Sequence, residues 1–294
     1  MISRREWLAG AAGAGALRAA GYQPRLMLQP YVWTQWFGQR KIALADGLER
    51  MFTASRRAGY RRMELIDSFL APELRERTAA LIRQSGFEVP VVYHGGAFHE
   101  AEAAARSIDA ILSTADAARP LGTRWVNTNC NPKRGRERKT DEELSVEAEN
   151  LNRLGRALYE RDMRLMLHAH DPDMAEGARE WRSNLHRTDP GLVWMCMDVH
   201  WVYRGGQDPM QLLREAGRRT ASLHVRNSTR GVWSESFGDG DVDYRAVAQF
   251  LRSIQYDGLI AVELAYETGT NPTRELEDDL KMSREYAERI FRTT

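Results

Sequence analysis

The chain has 294 residues, 43% of them hydrophobic, and its 42 basic and 41 acidic side chains leave a net charge of +1. This length suffices for one large hydrophobic core, so we expect a single α/β domain. The basic residues are spread along the chain and are balanced by acids, which argues against a nucleic-acid partner. We interpret the densest basic run, Lys133 to Lys139, as one solvated loop.

The first twenty residues differ in composition from the rest of the chain. Ser3, Arg4 and Arg5 precede an Ala/Gly-rich stretch that ends near Ala20, an order that resembles a twin-arginine export signal. We therefore predict an export signal at 1–20, a barrel domain at 21–294 and a periplasmic or exported protein. The alternative is a cytoplasmic protein with a basic N-terminus or an ordinary first helix. The stretch is too short and interrupted to serve as a stable membrane anchor.

From residue 25 onward, short β-rich runs alternate with longer helical patterns eight times. The predicted strands are 25–33, 61–66, 88–94, 123–129, 163–170, 192–199, 220–226 and 258–264. The predicted helices are 42–58, 71–85, 100–118, 140–160, 175–187, 208–217, 243–255 and 273–291. This alternation predicts right-handed βαβ units that close into a single-domain (β/α)8 TIM barrel. An open doubly wound sheet would need a glycine-rich phosphate turn after its first strand, and residues 31–36 contain none.

Residues with strong turn or capping preferences support these boundaries. Gly59 and Gly86 follow helical stretches as C-terminal stops, and Asp208 with Pro209 opens a helix with a cap and an N1 proline. The helix at 140–160 has acidic residues in its first turn, where the helix dipole favours them.

Four of the predicted strands carry a metal-ligand type of residue near the end of an apolar run. Side chains alternate between the faces of a strand, and in all four segments the polar residue lies opposite the bulky aliphatic ones. The four residues are His168, Asp198, His224 and Glu263. Since four buried ionisable groups on converging strands are costly without a cation, we predict one divalent metal ion. The mixed donor set favours Mn, Zn, Co, Ni or Fe and disfavours Ca.

Other polar residues reach the same rim, because active sites in such barrels form at the carboxyl ends of the strands. They are Glu64, His94, Asn127, Asn129, His170, His200 and Arg226. Each has an ordinary structural alternative, such as a hydrogen-bonded core histidine or a salt-bridged arginine. The aromatic residues that follow strand ends are candidates for shaping the pocket, for packing within a lid or for an oligomer interface. They are Trp33, Trp36, Trp201, Tyr203 and Trp233. We predict that Cys196 is a packing residue, and that Cys130 and Cys196 form no disulfide framework.

These patterns resemble the xylose isomerase-like TIM barrel superfamily, which contains sugar phosphate isomerases and epimerases. The resemblance covers about residues 25–291, and its most specific parts are His-Val-Arg at 224–226 and Gly-Asp-Gly-Asp-Val-Asp at 238–243. It implies metal ligation by Asp198, His224 and Glu263, with His168 where many members have a glutamate. It also implies that Glu263 is a catalytic base. The second acid/base must then come from another group, and His170, His200, Glu64 and His94 are the candidates.

The expected chemistry is isomerisation or epimerisation of a sugar or keto-sugar through an enediolate, helped by a divalent ion, most simply Mn. Elimination from a keto-sugar or 3-keto-glycoside by a lyase or dehydratase is the alternative, and a noncatalytic carbohydrate-binding barrel is a third. A DNA-repair type of phosphoesterase would need a basic groove, which the charge balance does not provide. For substrate contacts we predict His94, Asn129, Arg226 and Trp201. The expected partner is a small carbohydrate, and association into a homo-oligomer is compatible with the family.

Overall fold

The computed structural model of the protein describes residues 22–292, and it confirms the predicted barrel. Eight parallel strands close on themselves, each hydrogen-bonded to the next along the chain and the last to the first. They are β1 Arg25–Leu28, β2 Arg62–Ile66, β3 Glu88–Tyr93, β4 Trp125–Asn129, β5 Arg164–His168, β6 Val193–Asp198, β7 Thr220–Val225 and β8 Leu259–Val262. The predicted export signal at 1–20 lies outside the described residues.

Ten α-helices occur in the described part of the chain, most of them on the outside of the barrel between strands. They are α1 Tyr31–Gln39, α2 Leu44–Arg57, α3 Arg75–Ser85, α4 Ala101–Ala118, α5 Asp141–Tyr159, α6 Ala175–Arg187, α7 Val199–Arg204, α8 Pro209–Ala216, α9 Tyr244–Ser253 and α10 Leu276–Phe291. The predicted capping residues take these roles. Gly86 ends α3 in the left-handed conformation, Asp208 caps α8, and Thr140 forms a capping box with Glu143 at the start of α5.

The two faces of the strands have the composition that the period-two pattern predicts. Outward-facing Leu165, Met195 and Leu223 belong to the large core between barrel and helices. A smaller core fills the barrel interior and consists of Met27, Val91, Met166, Cys196, Leu259 and Ala261. Both cysteines are buried and free, which confirms that they form no disulfide. The interior face thus carries small or flexible side chains below the polar ligands.

Segments after three strands differ from the prediction. Strand β1 ends at Leu28, and residues 31–33, predicted as its end, begin helix α1 instead. The residue types of this segment favour a strand, but Val32, Trp33, Trp36 and Phe37 form a helical stripe that packs into the core. Trp33 and Trp36 are consequently core residues and not pocket aromatics. Helix α7 directly follows β6, and a two-stranded hairpin pairs Ser228–Thr229 with Val232–Trp233.

The interpretation of the basic run as one solvated loop is wrong at Lys139. Its side chain is fully buried, and its Nζ lies 2.7 Å from Glu147 Oε2 and 2.9 Å from Glu180 Oε2. Arg138, next to it, is 69% exposed and pairs with Glu176 on the surface. The run therefore ends in a buried anchor that attaches the loop after β4 to helices α5 and α6.

Candidate active site

The four predicted metal ligands meet at the carboxyl ends of strands β5 to β8. His168 and Asp198 are the last residues of β5 and β6, His224 is the penultimate residue of β7, and Glu263 directly follows β8. All four side chains are buried. One potential ligand atom from each lies within 4.8 Å of those of the other three. The alternation of side chains along each of the four strands therefore places four potential metal ligands next to one another.

Arg226 binds two carboxylates of this cluster. Its Nη1 donates to Glu263 Oε2 at 2.8 Å, and its Nη2 donates to Asp198 Oδ2 at 3.0 Å. Burial alone raises the pKa of Asp198, but Arg226, His168 and His224 outweigh it and hold that pKa well below its usual range. At Glu263 burial is likewise outweighed by Arg226 and His224, and the pKa falls to about 2. Both carboxylates are therefore ionised at neutral pH, as metal ligands must be.

His224 lies between two carboxylates, one at each ring nitrogen. Its Nδ1 is 3.0 Å from Glu263 Oε2, and its Nε2 is 2.8 Å from Glu64 Oε2. The other oxygen of Glu64 accepts a hydrogen bond of 2.9 Å from Asn127 Nδ2. Burial lowers the pKa of His224, but Cys196, Glu64 and Glu263 together raise it well above the ordinary value. Glu64 thus fixes the orientation of the His224 ring.

The charges and unpaired atoms of the cluster fit a divalent cation. Asp198, Glu263 and Glu64 place three carboxylates near the single guanidinium of Arg226, and this excess of negative charge contributes to the raised pKa of His224. A divalent ion would offset the same negative charge and displace the proton from that ring. His168 Nδ1 is also buried and has no hydrogen-bond partner within residues 22–292. Imidazole and carboxylate donors together suit first-row transition metals.

A cavity of about 720 Å³ adjoins the cluster, with His168, Glu263 and Arg226 in its wall. We call it the upper cavity. The predicted His170 and Trp201 also line it, and their rings are 5.6 Å apart, edge to face. Further wall residues are Tyr93, Arg136, Arg204, Trp233, Tyr266 and Glu267. This volume is typical of sites that enclose a small molecule.

His200, predicted as an acid/base, does not line the upper cavity. Its ring is buried; Nε2 lies 2.8 Å from Ser228 Oγ, and Nδ1 accepts a hydrogen bond of 3.1 Å from Trp233 Nε1. Burial and the neighbouring Arg226 lower the pKa of His200 to about 4. With both ring nitrogens bonded and the ring neutral, His200 supports Trp233, which itself lines the cavity.

His94 and Asn129, predicted as substrate contacts, are not in the wall of the upper cavity either. His94 Nδ1 is 2.8 Å from Thr114 Oγ1 on helix α4. Asn129 is buried, and its Oδ1 accepts a hydrogen bond of 2.5 Å from the hydroxyl of Tyr93. Tyr93 lines the cavity, so Asn129 contributes by positioning it.

The Gly-Asp-Gly-Asp loop holds the hairpin that carries Trp233. Asp241 accepts a hydrogen bond of 2.6 Å from Ser228 Oγ and two more from the backbone N–H groups of Arg230 and Gly231. A Cβ atom at Gly240 would overlap the carbonyl oxygen of Ser228, so only glycine fits there. The motif therefore acts on the site through the hairpin.

Several cavity residues were not predicted. Arg136 comes from the basic run and is 70% exposed, and nothing in the sequence of that loop indicated that it borders the cavity. Tyr93 and Tyr266 lie at or after strand ends, so their position in a barrel was a usable signal. Arg204 on α7 lies 4.7 Å from the Trp233 ring and binds Glu267 at 2.6 Å.

Replacing Glu64 by glutamine is expected to weaken divalent-metal binding by about 10- to 100-fold, because His224 loses its charged partner while the shape of the barrel interior is kept. Isothermal titration with MnCl₂ measures the affinity. Glu88→Gln, an exposed carboxylate at the start of β3, is the matched control and should bind like the unmodified protein. Equal affinities for the two variants would contradict the positioning role of Glu64.

The buried carboxyl group of Asp173 is expected to make the free energy of unfolding depend on pH. It is buried and accepts the His170 backbone N–H at 2.8 Å, and burial raises its pKa to about 7. Between about pH 4 and pH 7 the folded protein keeps a proton that the unfolded chain has released, so stability falls as pH rises through this window. Asp173→Asn removes this dependence and should be more stable than the unmodified protein at pH 8, by about 2–4 kcal/mol.

Urea unfolding at pH 5 and pH 8 measures the effect, and the advantage of the variant should shrink at pH 5. Asp109→Asn, on the exposed side of α4, should leave the pH dependence unchanged. Parallel pH profiles for Asp173→Asn and the unmodified protein would contradict the raised pKa.

Within residues 22–292, none of the helices combines the length and apolar character needed to cross a membrane.

Comparisons with known proteins agree with the fold. An inosose dehydratase of Clostridium tetani is 28% identical over 142 residues, which are 42% of this chain and 48% of that protein. The chain thus spans about half the length of this curated relative. The structure of an L-ribulose 3-epimerase superposes with a TM-score of 0.76 at 19% identity, covering 92% of this chain and 95% of that one. A 3-keto-D-glucoside 4-epimerase from E. coli gives a TM-score of 0.68 at 14% identity, with coverages of 90% and 100%.

A match to a whole family also covers most of the chain. Residues 52–286 match the family described as xylose isomerase-like TIM barrel, and this range runs from helix α2 into helix α10. The eight-stranded barrel and the four donors at its carboxyl end are what the resemblance of the sequence had implied. The chain therefore belongs to the xylose isomerase-like TIM barrel family.

Proposed function

We propose that this protein is a divalent-metal-dependent enzyme that isomerises or epimerises a sugar or keto-sugar through an enediolate. The observation that carries the proposal is the convergence of His168, Asp198, His224 and Glu263 within 4.8 Å of one another, beside a ligand-sized cavity whose wall includes His168 and Glu263. When bound, the ion would supply Lewis-acid polarisation of the sugar carbonyl, which acidifies the neighbouring C–H. Manganese is the ion we propose first, with Zn, Co, Ni and Fe as the other candidates.

In this proposal Glu263 removes the substrate proton. It lines the upper cavity, and Arg226 holds its Oε2 at 2.8 Å, so the carboxylate is ionised and fixed in orientation. Both terminal nitrogens of Arg226 are bonded to carboxylates, Nη1 to Glu263 and Nη2 to Asp198. Its role in the proposal is to orient these two ligands.

His170 is the proposed second acid/base. Of the candidates Glu64, His94, His170 and His200, only His170 is in the wall of the upper cavity. Its ring lies 4.7 Å from that of His168 and 5.6 Å from Trp201. Burial and the neighbouring His168 lower the pKa of His170 to about 3, so its neutral ring can accept a proton from a molecule bound beside the metal ligands and then return it. Glu64 and His200 act in this proposal as positioning residues for His224 and Trp233.

Elimination is the second candidate reaction. His168 stands where many family members have a glutamate, so the two opposed glutamates of a simple epimerase are not both present. The relatives reported above include a dehydratase and an epimerase of a 3-keto-glucoside. Both isomerisation and elimination begin with proton removal next to a carbonyl, and they differ in whether the intermediate is reprotonated or loses a β-substituent.

The test is a metal analysis of the purified protein followed by incubation with sugars in D₂O. The panel contains simple ketoses, an inosose and 3-keto-glucosides, and NMR follows deuterium incorporation and product formation. An epimer or isomer with deuterium at the reacting carbon supports the first reaction, and loss of water or of an aglycone supports elimination. No bound metal and no exchange with any sugar would refute the proposal. Binding of a sugar without exchange would indicate a carbohydrate-binding barrel.

We further propose that residues 1–20 direct export of the folded protein, because Arg4 and Arg5 precede a short Ala/Gly-rich stretch. Export in the folded state would carry the bound metal ion across the membrane with the protein. The enzyme would then encounter free sugars rather than phosphorylated ones. Fractionation of cells that produce the full chain tests this proposal. The unmodified protein should be found in the periplasm, and a variant with both arginines replaced by lysine should remain in the cytoplasm. A cytoplasmic location of both proteins would refute the proposed export.

A further inference from the structure

A second cavity, of about 440 Å³, opens at the opposite end of the barrel. We call it the basal cavity. Its wall contains the first residues of five strands, Arg25 of β1, Trp125 of β4, Arg164 of β5, Thr220 of β7 and Leu259 of β8. Since the strands are parallel, this end lies opposite the carboxyl ends that hold the metal ligands. The basal cavity is therefore separate from the proposed active site.

Two tryptophans close the basal cavity towards the barrel interior. The rings of Trp125 and Trp194 are 6.0 Å apart and meet edge to face at 89°. Both pack against the interior core of Met166, Cys196 and neighbouring residues. A molecule in the basal cavity would thus contact aromatic surface on one side and would enter from solvent, not from the upper cavity.

The charge of the basal cavity is strongly positive. Arg25, Arg164 and Arg218 line it, together with the single carboxylate of Asp257. Within residues 22–292, neither Arg25 nor Arg218 forms an ion pair. Arg164 is partly engaged, because it stacks on Tyr159 at 4.5 Å and donates to the Met163 carbonyl at 3.0 Å. Three arginines in one cavity wall, two of them without an ion pair, match the charge of a carboxylate or phosphate.

Two buried polar atoms in the same wall also have no hydrogen-bond partner in the described structure. They are the hydroxyl of Thr220, a residue only 6% exposed, and the indole Nε1 of Trp194. An unpaired buried donor destabilises a protein and is usually retained for a reason. Both atoms are enclosed behind the cavity surface, so the guanidinium groups are the donors that an anion placed against the tryptophans would meet.

We infer that the basal cavity binds a small organic anion, a carboxylate or phosphate attached to a body of monosaccharide size. The volume admits such a molecule, the arginines match its charge, and the two tryptophans offer aromatic surface to its body. The preceding segment of the chain is a poor occupant on charge, because residues 1–21 contain Arg4, Arg5 and Arg18 but only one acid, Glu6. The inference is independent of the reaction catalysed in the upper cavity.

The test is calorimetric titration of the full chain with D-glucose 6-phosphate and with D-glucuronate, with neutral D-glucose as the reference sugar. We expect at least one of the two anions to bind in the basal cavity. The anion that binds more tightly shows whether the cavity prefers a phosphate or a carboxylate. Arg218→Gln should weaken its binding about tenfold, and Arg25→Gln combined with Arg218→Gln should abolish detectable binding. Arg214→Gln, an exposed arginine on α8 outside the cavity, is the matched control and should bind normally.

Thr220→Val provides a second control inside the cavity wall. The change should raise the melting temperature of the free protein, because it removes an unpaired buried hydroxyl at constant shape, and it should leave anion binding unchanged because that hydroxyl is enclosed. Binding of neither anion would overturn the inference. Binding that persists unchanged in the Arg25/Arg218 double variant would also overturn it, since the anion would then occupy another site.

Discussion

Replacing Glu263 by glutamine is expected to lower the turnover number by about 10³-fold. Glutamine keeps the size of the side chain and can still offer an oxygen to a metal ion, but it cannot accept a proton. The same variant also loses the charge-assisted bonds that Arg226 and His224 make to Glu263 Oε2, at 2.8 Å and 3.0 Å. Turnover of a keto-sugar and exchange of its C–H proton with D₂O should therefore fall together.

The control for this variant is Glu149→Gln, which neutralises an exposed carboxylate on helix α5 and should leave turnover unchanged. Manganese titration separates loss of the base from loss of the ion, because saturating metal restores activity only if weak ion binding is the cause. Turnover within tenfold of the unmodified enzyme at saturating metal would show that another group removes the proton.

Replacing Lys139 by methionine is expected to destabilise the fold by about 3–5 kcal/mol. Methionine fills similar volume, but it leaves Glu147, which is fully buried, without the ammonium group 2.7 Å away. Asn184 Nδ2 would remain as a hydrogen-bond donor to Glu147 at 2.9 Å, and it is uncharged. Urea or thermal unfolding measures the change.

Two further variants make this prediction specific. Arg138→Met removes the neighbouring exposed cation and should change stability by less than about 1 kcal/mol. Combining Lys139→Met with Glu147→Leu removes both buried charges, and it should recover part of the lost stability because no unpaired carboxylate remains in the core. A double variant no more stable than Lys139→Met alone would show that packing, rather than the unpaired charge, causes the loss.

The barrel and its four ligand candidates could be predicted from local patterns. Each strand has an alternation of period two, and the rule that parallel barrel strands end at one rim converts four local patterns into one site. Predicting these ligand candidates required no knowledge of tertiary contacts. They are His168, Asp198, His224 and Glu263. The assignment of Cys196 to the interior face succeeded for the same reason.

The parts that could not be predicted depend on contacts between distant segments. The burial of Lys139 arises from Glu147 and Glu180, which lie on two different helices, and no pattern within the basic run reports them. His200 was a plausible acid/base by its position after β6. Only the hairpin, which brings Ser228 and Trp233 to its two ring nitrogens, shows that the ring is fully bonded. The first helix α1 was missed because residue preferences for strands were weighed above the helical spacing of its apolar side chains.

The hairpin at 228–233 also has an evolutionary consequence. Its position depends on Asp241 and on the space at Gly240, whereas the metal ligands depend on the strands of the barrel. Insertions or substitutions in this hairpin can therefore change which molecules fit beside Trp233 without disturbing the reacting centre or the core. Diversification of substrate range within such a lineage is expected to concentrate in this segment, while the strand ends stay constant in composition.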